Sequence, residues 1–405
     1  MSGGPLAGVR IVDMTMYVSG PLCTQLLAGL GAEVIKVERP PHGDVYRLQG
    51  PDFIADQSIS FLSMNKGKKS IVLDLKHPEA REVMEDLLRT ADVFVHNFKP
   101  GTAERLGLGK DDIRAISPRI IWTALSGYGG LGPRGNDGGY DLVMQGELGL
   151  MAATGFPDRP PAKAGFAVVD IHSAALLALG VVAALHERDR TGVASTVESS
   201  LYEVATSMGA ILAERYLATG KVPSRRGAAS SLFSPYEAYQ TADGYVTVGA
   251  TGPPGVFRQF CEAIGTPELA DSPDYVDNAG RVANQDALRK EVERQTRTRP
   301  TDHWVAVFTE LGMPSGAIRD IGEALEAEQT NALDLIVDAP HSALGSYRTI
   351  RHPLRVGSDM PGPQGAPLLG EHTRELLQEL GRSHTVIDDL AKRSVIITSP
   401  VDASG

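Results

Sequence analysis

The first 200 residues alternate between two hydrophobic patterns that predict different elements. Short runs of consecutive apolar residues, typical of buried strands, are separated by longer stretches whose apolar residues recur at helical spacing. The strands predicted from such runs cover residues 8–14, 33–38, 70–75, 92–97 and 119–126, a short polar strand is predicted at 195–200, and the predicted helices cover 20–32, 77–91 and 171–187. Strands separated by helices indicate βαβ units, so we expect an α/β fold with a mostly parallel sheet.

A different pattern follows in the second half of the chain. Residues 235–250 alternate polar and apolar positions around Asp243-Gly244, which predicts a hairpin, and three helical patterns come after it. We therefore predict a smaller α+β domain over residues 225–330. The segment 348–370 is rich in proline and glycine and is expected to be extended.

Composition and charge narrow the class of protein. With 405 residues the chain is long enough for two or three domains, and 42% hydrophobic with 22% charged residues is normal for a globular protein. A net charge of −11 disfavours nonspecific binding to nucleic acid or anionic membranes. The apolar run 174–185 is too short to span a bilayer, and the N-terminal segment lacks a signal-peptide pattern. Because Cys23 and Cys261 are far apart and indicate no disulfide framework, we expect a cytoplasmic protein.

A single carboxylate, Asp170, lies at the start of the long apolar run GFAVVDIHSAALLALG (165–180). An ionised carboxylate is costly to bury unless something pairs with it. Asp170 is therefore interpreted as a helix cap, a solvated edge residue or a group retained for chemistry. These interpretations are compatible, because a carboxylate at a helix start stays ionised and can still act as a nucleophile.

Other motifs point away from several classes of enzyme. GYGGLG (127–132) fits the dinucleotide fingerprint, but a predicted loop follows it instead of a helix, which argues against nicotinamide or flavin binding. No H-E-x-x-H, C-x-x-C or G-x-S-x-G sequence occurs, so neither a metal site nor a nucleophile elbow is predicted. Scattered basic residues are candidates for binding phosphates: Arg39, Lys66, Lys68, Lys69, Lys76, Lys99 and Arg105.

Several longer segments resemble the class III CoA-transferase family, the CaiB/BaiF group that includes formyl-CoA transferase. In chain order they are LAGVRIVDMT, SGPLCTQLLAGLGAEVIKVERPPHGD, NKGKKSIVLDLKHPEAREVMEDLLRTADVFVHNFKPGTAERLGL, GGYDLVMQGELGLMAATG, VVDIHSAALLALGVVAALHERDRTG, SPYEAYQTADGYVTVGA and PLLGEHTRELLQELG. Each is weak alone, but their order and spacing are specific and run nearly end to end. The resemblance implies a Rossmann-like large domain from residues 1–205 plus 331–405, a linker region at 206–224 and an interlocked homodimer.

The resemblance also implies a reaction. In this family the aspartate that matches Asp170 attacks an acyl-CoA thioester to give a mixed anhydride, and returning CoA thiolate converts this into an aspartyl-CoA thioester. A free carboxylic acid then accepts the CoA, so the expected substrates are that acid and an acyl-CoA such as succinyl-CoA. Tyr140 in GGYD matches an active-site tyrosine. Neither a tightly bound cofactor nor a metal ion is implied.

Four motifs of this chain match the CoA-binding positions of the family. They contain Arg39 in VERP, Leu73 and Lys76 in LDLK, Asn97 and Phe98 in NFKPG, and Arg105 and Leu106 in ERLG. Lysine and arginine side chains supply charge to phosphates, and an apolar slot is expected to take the adenine.

Departures from formyl-CoA transferase bear on the acceptor acid. That enzyme has a glutamine at the position of Val18, a lysine at that of Gly138 and a glycine run where this chain has ATGPPG (250–255), and its R-x-G-N-x-H pattern is altered here to RRGAASS (225–231). We therefore expect an acceptor other than oxalate, and our hypothesis is a small dicarboxylate. The candidate partners for its second carboxylate are Arg47, Arg225 and Arg226.

Two other functions are left open by the sequence. An α-methylacyl-CoA racemase shares the fold but needs two bases, and the histidine of its G-H-D sequence is replaced by Tyr140. His172 follows soon after Asp170, but helical residues at that spacing do not share a face. The third candidate is a catalytically silent CoA-binding regulator, which would be indifferent to mutation of Asp170.

Overall fold

The computed structural model describes residues 3–399, which fold into two compact units. The first unit contains residues 3–148, 164–214 and 333–399. The second unit contains residues 149–163 and 215–332. The segment 149–163, which the sequence prediction assigned to the large domain, therefore belongs to the second unit.

Strands and helices alternate along the chain as the hydrophobic pattern predicts. The strands are β1 (Arg10–Met14), β2 (Glu33–Glu38), β3 (Phe53–Ile54), β4 (Gln57–Ser58), β5 (Lys68–Leu73), β6 (Val93–His96), β7 (Ile121–Ser126), β8 (Thr196–Ser200), β9 (Tyr236–Gln240), β10 (Tyr245–Gly249), β11 (Ser315–Ala317), β12 (Ile336–His341), β13 (Gly345–Ile350) and β14 (Ile396–Ile397). The helices are α1 (Ser19–Gly29), α2 (Ile59–Met64), α3 (Pro78–Thr90), α4 (Thr102–Arg105), α5 (Lys110–Ile116), α6 (Asp141–Glu147), α7 (Leu150–Ala153), α8 (Val168–Thr191), α9 (Leu201–Met208), α10 (Ala210–Thr219), α11 (Val256–Ala263), α12 (Asn278–Ala283), α13 (Gln285–Thr296), α14 (Thr301–Glu310), α15 (Ile321–Glu326), α16 (Glu328–Ala332), α17 (Thr373–Glu379) and α18 (His384–Lys392). Two short 3-10 helices cover Val45–Arg47 and Pro267–Asp271.

The first unit is built on a seven-stranded sheet in the order β14-β5-β2-β1-β6-β7-β8. Neighbouring strands pair in parallel, except that β14 runs antiparallel to β5. This mainly parallel sheet confirms the predicted α/β fold. The chain extends the sheet from β1 toward β2 on one side and toward β6 on the other, so the strand order reverses between β1 and β6. Open α/β sheets bind ligands at such a reversal, beyond the carboxyl ends of the strands.

The central strands are buried on both faces, which explains their continuous apolar runs. In β1 and β2 the side chains of Ile11, Val12 and Ile35 have no exposed surface. Helix α3 covers the sheet with a stripe that includes Val83 and Leu87, each of which stabilises the fold by about 1.5–3 kcal/mol on full burial. Helices α17 and α18 pack on the same cluster, so the C-terminal part of the described chain completes this core.

Helix α8 begins three residues earlier than predicted and contains Asp170 in its first turn. Its 24 residues are long and apolar enough to cross a membrane by length and composition, in contrast to the sequence expectation. One face nevertheless packs inside the first unit, mainly against α1, through side chains such as Leu177 and Val181. The large apolar side chains of the helix that are exposed are Ile171, Leu176, Leu179 and Val182. Its apolar composition therefore reflects a core position on one face and an exposed apolar surface on another.

The second unit contains a three-stranded antiparallel sheet in the order β11-β10-β9. Its predicted hairpin is β9–β10, in which Gln240 pairs with Tyr245 next to the turn. Helices α11, α13 and α14 pack with this sheet around a separate core that includes Tyr239, Phe260 and Phe308. This unit has the α+β organisation that the sequence predicts.

Candidate active site

Two adjoining cavities open where the strand order reverses, beside the segments that follow β1 and β6. The first has a volume of about 510 Å³ and contains Asp170, and the second has a volume of about 360 Å³ and contains Lys76. We refer to them as the Asp170 cavity and the Lys76 cavity. Met16, Phe98 and Thr102 line both of them, so the two cavities are parts of one cleft. Volumes of this order are typical of sites for small molecules.

The Asp170 carboxylate is partly buried in the first turn of α8. Burial, and then the negative charge of Asp141, raise the pKa of Asp170 to about 6. A hydrogen bond with the Ser19 hydroxyl acts in the opposite direction, because it stabilises the ionised form. At pH 7.5 the carboxylate is therefore ionised but less well stabilised than it would be in water, a condition that favours nucleophilic attack.

Asp141, at the start of α6, fixes the backbone around Asp170. Its Oδ1 accepts the N–H of Val169 at 2.7 Å and the N–H of Asp170 at 3.3 Å. Gln145 donates to its Oδ2 at 2.5 Å and accepts the N–H of Ala164 at 2.9 Å. A residue 29 positions earlier thus supplies the acceptor for the first turn of α8. The interpretation of Asp170 as a helix cap was wrong, and its own carboxylate lines the cavity instead.

Three tyrosine rings cluster near the Asp170 carboxylate. The ring of Tyr17 meets Tyr46 and Tyr140 edge-on, with centroid distances of 5.7 Å and 6.0 Å. A hydrogen bond with Tyr140, and then burial, raise the pKa of the Tyr17 phenol. Burial, and then the charge of Asp170, raise the pKa of the Tyr46 phenol. Both phenols therefore stay protonated at neutral pH and can donate hydrogen bonds.

The backbone of Tyr17 is left-handed, with φ of 70°, which is unfavourable for a residue other than glycine. Such a conformation persists only where the surrounding structure holds it. Asp44 accepts the N–H of Tyr17 at 3.3 Å, while the Asn97 amide accepts the N–H of Met16 at 2.9 Å and donates to its carbonyl at 2.7 Å. The turn after β1 is therefore held by residues that follow β2 and β6.

A buried ion network lies beneath this turn. Lys36 donates to the Thr15 carbonyl at 2.7 Å and pairs with Asp44 at 2.9 Å, and Lys68 pairs with Asp13 at 2.9 Å. Burial alone would raise the pKa of Asp13, but the charges of Lys68 and Lys36 lower it to about 2. Removing one partner from a buried pair of this kind costs about 3–5 kcal/mol. The network therefore holds the turn firmly in place.

Most of the residues predicted to bind CoA lie along the cleft. Those that line the Lys76 cavity are Arg39, Leu73, Lys76, Phe98 and Leu106. Asn97 lines the Asp170 cavity together with Phe98 and the predicted Tyr140. Arg105 lines neither cavity, and its guanidinium donates to Thr102 Oγ1 at 2.8 Å. The structure thus brings together all of the predicted positions except Arg105.

Several predicted phosphate ligands are engaged elsewhere, and some cleft residues were not predicted. Lys68 belongs to the buried network, Lys69 pairs with Glu33 at 3.0 Å, and Lys66 donates to the Ile350 carbonyl at 2.7 Å. The side chains missed by sequence reasoning are Tyr17, Ser19, Arg81 and Asp141. Tyr17 and Ser19 follow the first strand, and this position in an α/β sequence is the signal that could have found them.

The three arginines suggested for a second carboxylate have other partners. Arg47 donates from Nε and Nη2 to the Glu38 carboxylate, with both distances 2.7 Å. Arg225 and Arg226 belong to the second unit and donate to atoms within it. None of the three is among the described residues that line the Asp170 cavity.

Comparisons with known proteins identify the family of this chain. A family model described as CoA-transferase family III matches residues 6–373. The chain is 35% identical over 379 residues to acetyl-CoA:oxalate CoA-transferase of Acetobacter aceti, covering 93% of this chain and 96% of that protein. It is 36% identical over 379 residues to succinyl-CoA:glutarate CoA-transferase of Mus musculus, covering 93% and 87% respectively. The crystal structure of a CaiB/BaiF family protein from Brucella suis matches with a TM-score of 0.83 at 33% identity, covering 94% of this chain and 100% of that one. The chain therefore belongs to CoA-transferase family III, as its sequence segments predict.

Proposed function

We propose that this protein is an acyl-CoA:carboxylate CoA-transferase that exchanges CoA between dicarboxylic acids. The observation that carries the proposal is the Asp170 carboxylate, which lies in a cavity continuous with one lined by Arg39, Lys76 and Arg81. Relatives named for succinyl-CoA, glutarate and oxalate support a dicarboxylate substrate. We take succinyl-CoA as the donor, and an acceptor other than oxalate stays a prediction.

CoA would occupy the cleft with its phosphates in the Lys76 cavity and its thioester beside Asp170. Arg39, Lys76 and Arg81 give the Lys76 cavity the positive charge that phosphates require. The apolar side chains available to the adenine are Leu73, Phe98 and Leu106. Because Phe98 lines both cavities, it is well placed to guide the pantetheine arm between them.

The first half of the reaction places the acyl group and then CoA on Asp170. A carboxylate oxygen attacks the thioester carbonyl carbon, the carbon–sulfur bond breaks, and the products are an aspartyl–acyl anhydride and CoA thiolate. The thiolate then attacks the Asp170 carbonyl carbon of the anhydride. This step releases the donor acid as a carboxylate and leaves an aspartyl-CoA thioester. Each step consumes one anion, a carboxylate or a thiolate, and releases another, so no proton is consumed.

The second half repeats these steps in reverse with the acceptor acid. The acceptor carboxylate attacks the aspartyl-CoA thioester, which gives a new anhydride and CoA thiolate. The thiolate then attacks the acceptor acyl carbon and regenerates the Asp170 carboxylate. The thioester energy is retained because both intermediates stay on the enzyme, away from water. The partial burial of Asp170 is consistent with this requirement.

A hydrogen-bond donor near Asp170 fits the tetrahedral intermediates of this chemistry. Each attack places negative charge on a carbonyl oxygen, and a donor aimed at that oxygen lowers the barrier. We assign this role to the phenol of Tyr140, whose side chain lines the cavity and whose ring meets that of Tyr17 edge-on. The side chain of Tyr140 is 60% exposed, so an incoming substrate can reach it.

The cleft fits the two other candidate functions less well. A racemase needs a second base, but no histidine is among the described side chains that line either cavity, and His172 is exposed. Asp141 accepts backbone N–H groups and is unsuited to abstracting a proton from substrate. A silent CoA-binding protein would need the Lys76 cavity but would have no use for an ionised Asp170.

We further propose that the protein is an interlocked homodimer in the cytoplasm and that it needs no tightly bound cofactor. Exposed apolar side chains such as Leu179, Ile211 and Leu217 support a protein–protein interface, because surfaces of this kind mark contact sites. The unpaired thiols of Cys23 and Cys261 suit a reducing compartment. The mass of the protein in solution, measured by light scattering, tests the dimer directly.

Mass spectrometry of an acyl-CoA exchange reaction tests the proposed activity. The protein is incubated with succinyl-CoA and a panel of carboxylates, and new acyl-CoA thioesters are identified by mass. With donor alone, the peptide that contains Asp170 should gain the mass of an acyl or CoA adduct. Asp170→Asn should give neither product, whereas Asp189→Asn, on the exposed end of the same helix, should give both.

The outcomes separate the candidate functions. Transfer at the wild-type rate by Asp170→Asn, or the absence of any new thioester from the wild type, would overturn the proposal. Exchange of solvent deuterium at the α-carbon of an acyl-CoA, with no second acid present, would identify a racemase instead. Tight binding of CoA without either reaction would indicate the regulator.

A further inference from the structure

Lys99 is the only lysine or arginine among the described residues that line the Asp170 cavity. The two carboxylates of that cavity differ in their partners. Asp137 is paired with Arg134 at 2.8 Å, whereas Asp170 has no ion-pair partner among the described residues. A dicarboxylic acyl group adds a further negative charge to this space. Among the described residues that line this cavity, Lys99 is therefore the side chain whose positive charge can balance it.

The backbone of Lys99 is anchored while its ammonium group is unengaged. On one side, Asn97 is tied to Met16 by the two hydrogen bonds described above. On the other side, the Lys99 carbonyl accepts the N–H of Thr102 at 3.1 Å, at the start of α4. Within residues 3–399 the Lys99 ammonium makes neither a hydrogen bond nor an ion pair, so its charge is available to a ligand.

A missing side chain at position 138 makes room for this ammonium group. A Cβ atom built on Gly138 would lie 2.9 Å from Cε and 3.3 Å from Nζ of Lys99. The first distance is shorter than real Cβ contacts, so any residue other than glycine would push the end of Lys99 away. The absent side chain at Gly138 thus leaves space on the cavity wall that the end of the Lys99 side chain occupies.

We propose that Lys99 binds the remote carboxylate of the dicarboxylic acyl group, both in the acyl-CoA donor and in the acceptor acid. This assignment rests on the proposed function and names the residue that selects dicarboxylates. The Lys76 cavity has its own cations for the phosphates of CoA. Lys99 is thus left for the part of the substrate that lies beside Asp170, where Arg47, Arg225 and Arg226 are absent.

Equilibrium binding of two acyl-CoA molecules tests this role. Succinyl-CoA and butyryl-CoA have the same phosphates and the same four-carbon acyl length, and succinyl-CoA alone carries a remote carboxylate. Calorimetric titrations are made with the full chain carrying Asp170→Asn, so that bound acyl-CoA is not consumed, with and without Lys99→Met. Lys99→Met should raise the Kd of succinyl-CoA about 10-fold while that of butyryl-CoA changes by less than about twofold. Lys99→Arg, which keeps the charge, should restore most of the succinyl-CoA affinity.

Two results would overturn the assignment. An equal loss of affinity for both acyl-CoA molecules would show that Lys99 contacts a CoA phosphate. No loss for either would show that it contacts neither group. Lys76→Met serves as the matched control, because a phosphate contact should weaken both ligands equally. If the wild type transfers no CoA but the binding difference is found, only the proposed function fails. If transfer is found without that difference, only the role of Lys99 fails.

Discussion

Replacing the Asp170 carboxylate with an amide should stabilise the protein at pH 7.5, although it removes the proposed nucleophile. Asp170→Asn keeps the size of the side chain and deletes its charge. In the folded protein this charge is partly buried and lies near Asp141, and the Ser19 hydroxyl compensates for only part of the effect. Ionisation of Asp170 in the folded state therefore carries a free-energy cost that is absent from the hydrated unfolded chain.

The pKa of Asp170 gives the size of this cost. It is about 6 in the folded protein against an ordinary value of 3.8, and each pH unit of difference corresponds to about 1.4 kcal/mol. Above pH 6 the ionised group therefore lowers the free energy of unfolding by about 3 kcal/mol relative to an uncharged side chain. Between the two pKa values the folded state binds more protons than the unfolded state, so the stability falls as the pH rises through this window. Below the ordinary value both states are protonated and the cost vanishes.

Thermal unfolding at a series of pH values measures this effect. At pH 7.5 the Tm of Asp170→Asn should exceed that of the wild type by several degrees, and the difference should shrink toward zero as the pH is lowered below about 4. A comparison of Tm differences across pH avoids assigning one unfolding free energy to a chain of two units.

The control variant is Asp189→Asn, which removes an exposed carboxylate from the same helix. The Tm difference between Asp189→Asn and the wild type should not change over the pH range in which Asp170 is titrated. The reasoning is refuted if Asp170→Asn is no more stable than the wild type at pH 7.5. It is also refuted if the gain persists undiminished at acidic pH.

Further predictions concern the groups around this carboxylate. Asp141→Asn removes a neighbouring negative charge and should shift the acid limb of kcat/KM from about pH 6 to lower pH, whereas Ser19→Ala should shift it to higher pH. Profiles of rate against pH with succinyl-CoA check both, and unmoved midpoints would contradict them. Tyr140→Phe should lower kcat about 10- to 100-fold with little change in Tm, because a donor to the oxyanion is lost; an unchanged kcat in steady-state assays would argue against that role. Lys36→Met should destabilise the first unit by about 3 kcal/mol or more, because it leaves a buried carboxylate without its cation; a Tm equal to that of the wild type would show that the network is dispensable.

The alternation of strands and helices could be predicted because each element of the large sheet has a local hydrophobic period. The same patterns place the turns after β1 and β6 at one edge of a parallel sheet, where most of the predicted CoA positions indeed lie. The hairpin β12–β13 was missed, because its strands are partly exposed and Pro340 interrupts the first of them. A strand that is not buried has little hydrophobic pattern in its sequence, so the pattern does not predict it.

The details of the site depend on contacts between distant segments, which leave no local pattern. Asp141 holds the first turn of α8 although it lies 29 positions earlier in the chain. The sequence alone therefore suggested that Asp170 caps this helix. The end of the Lys99 side chain lies in space that a side chain at position 138 would fill. Both relations become visible only when the folded backbone brings the segments together.

The two-residue strand β14 limits how far the carboxyl end of this protein can be shortened. Ile396 and Ile397 pair with Leu73 and Val72 and so close one edge of the large sheet. Without them, β5 would present unpaired N–H and C=O groups, the arrangement through which sheets aggregate edge to edge. Because Leu73 also lines the Lys76 cavity, this newly exposed edge would lie beside the proposed phosphate end of the cleft. Truncation before residue 396 would therefore promote self-association and disturb ligand binding through the same strand.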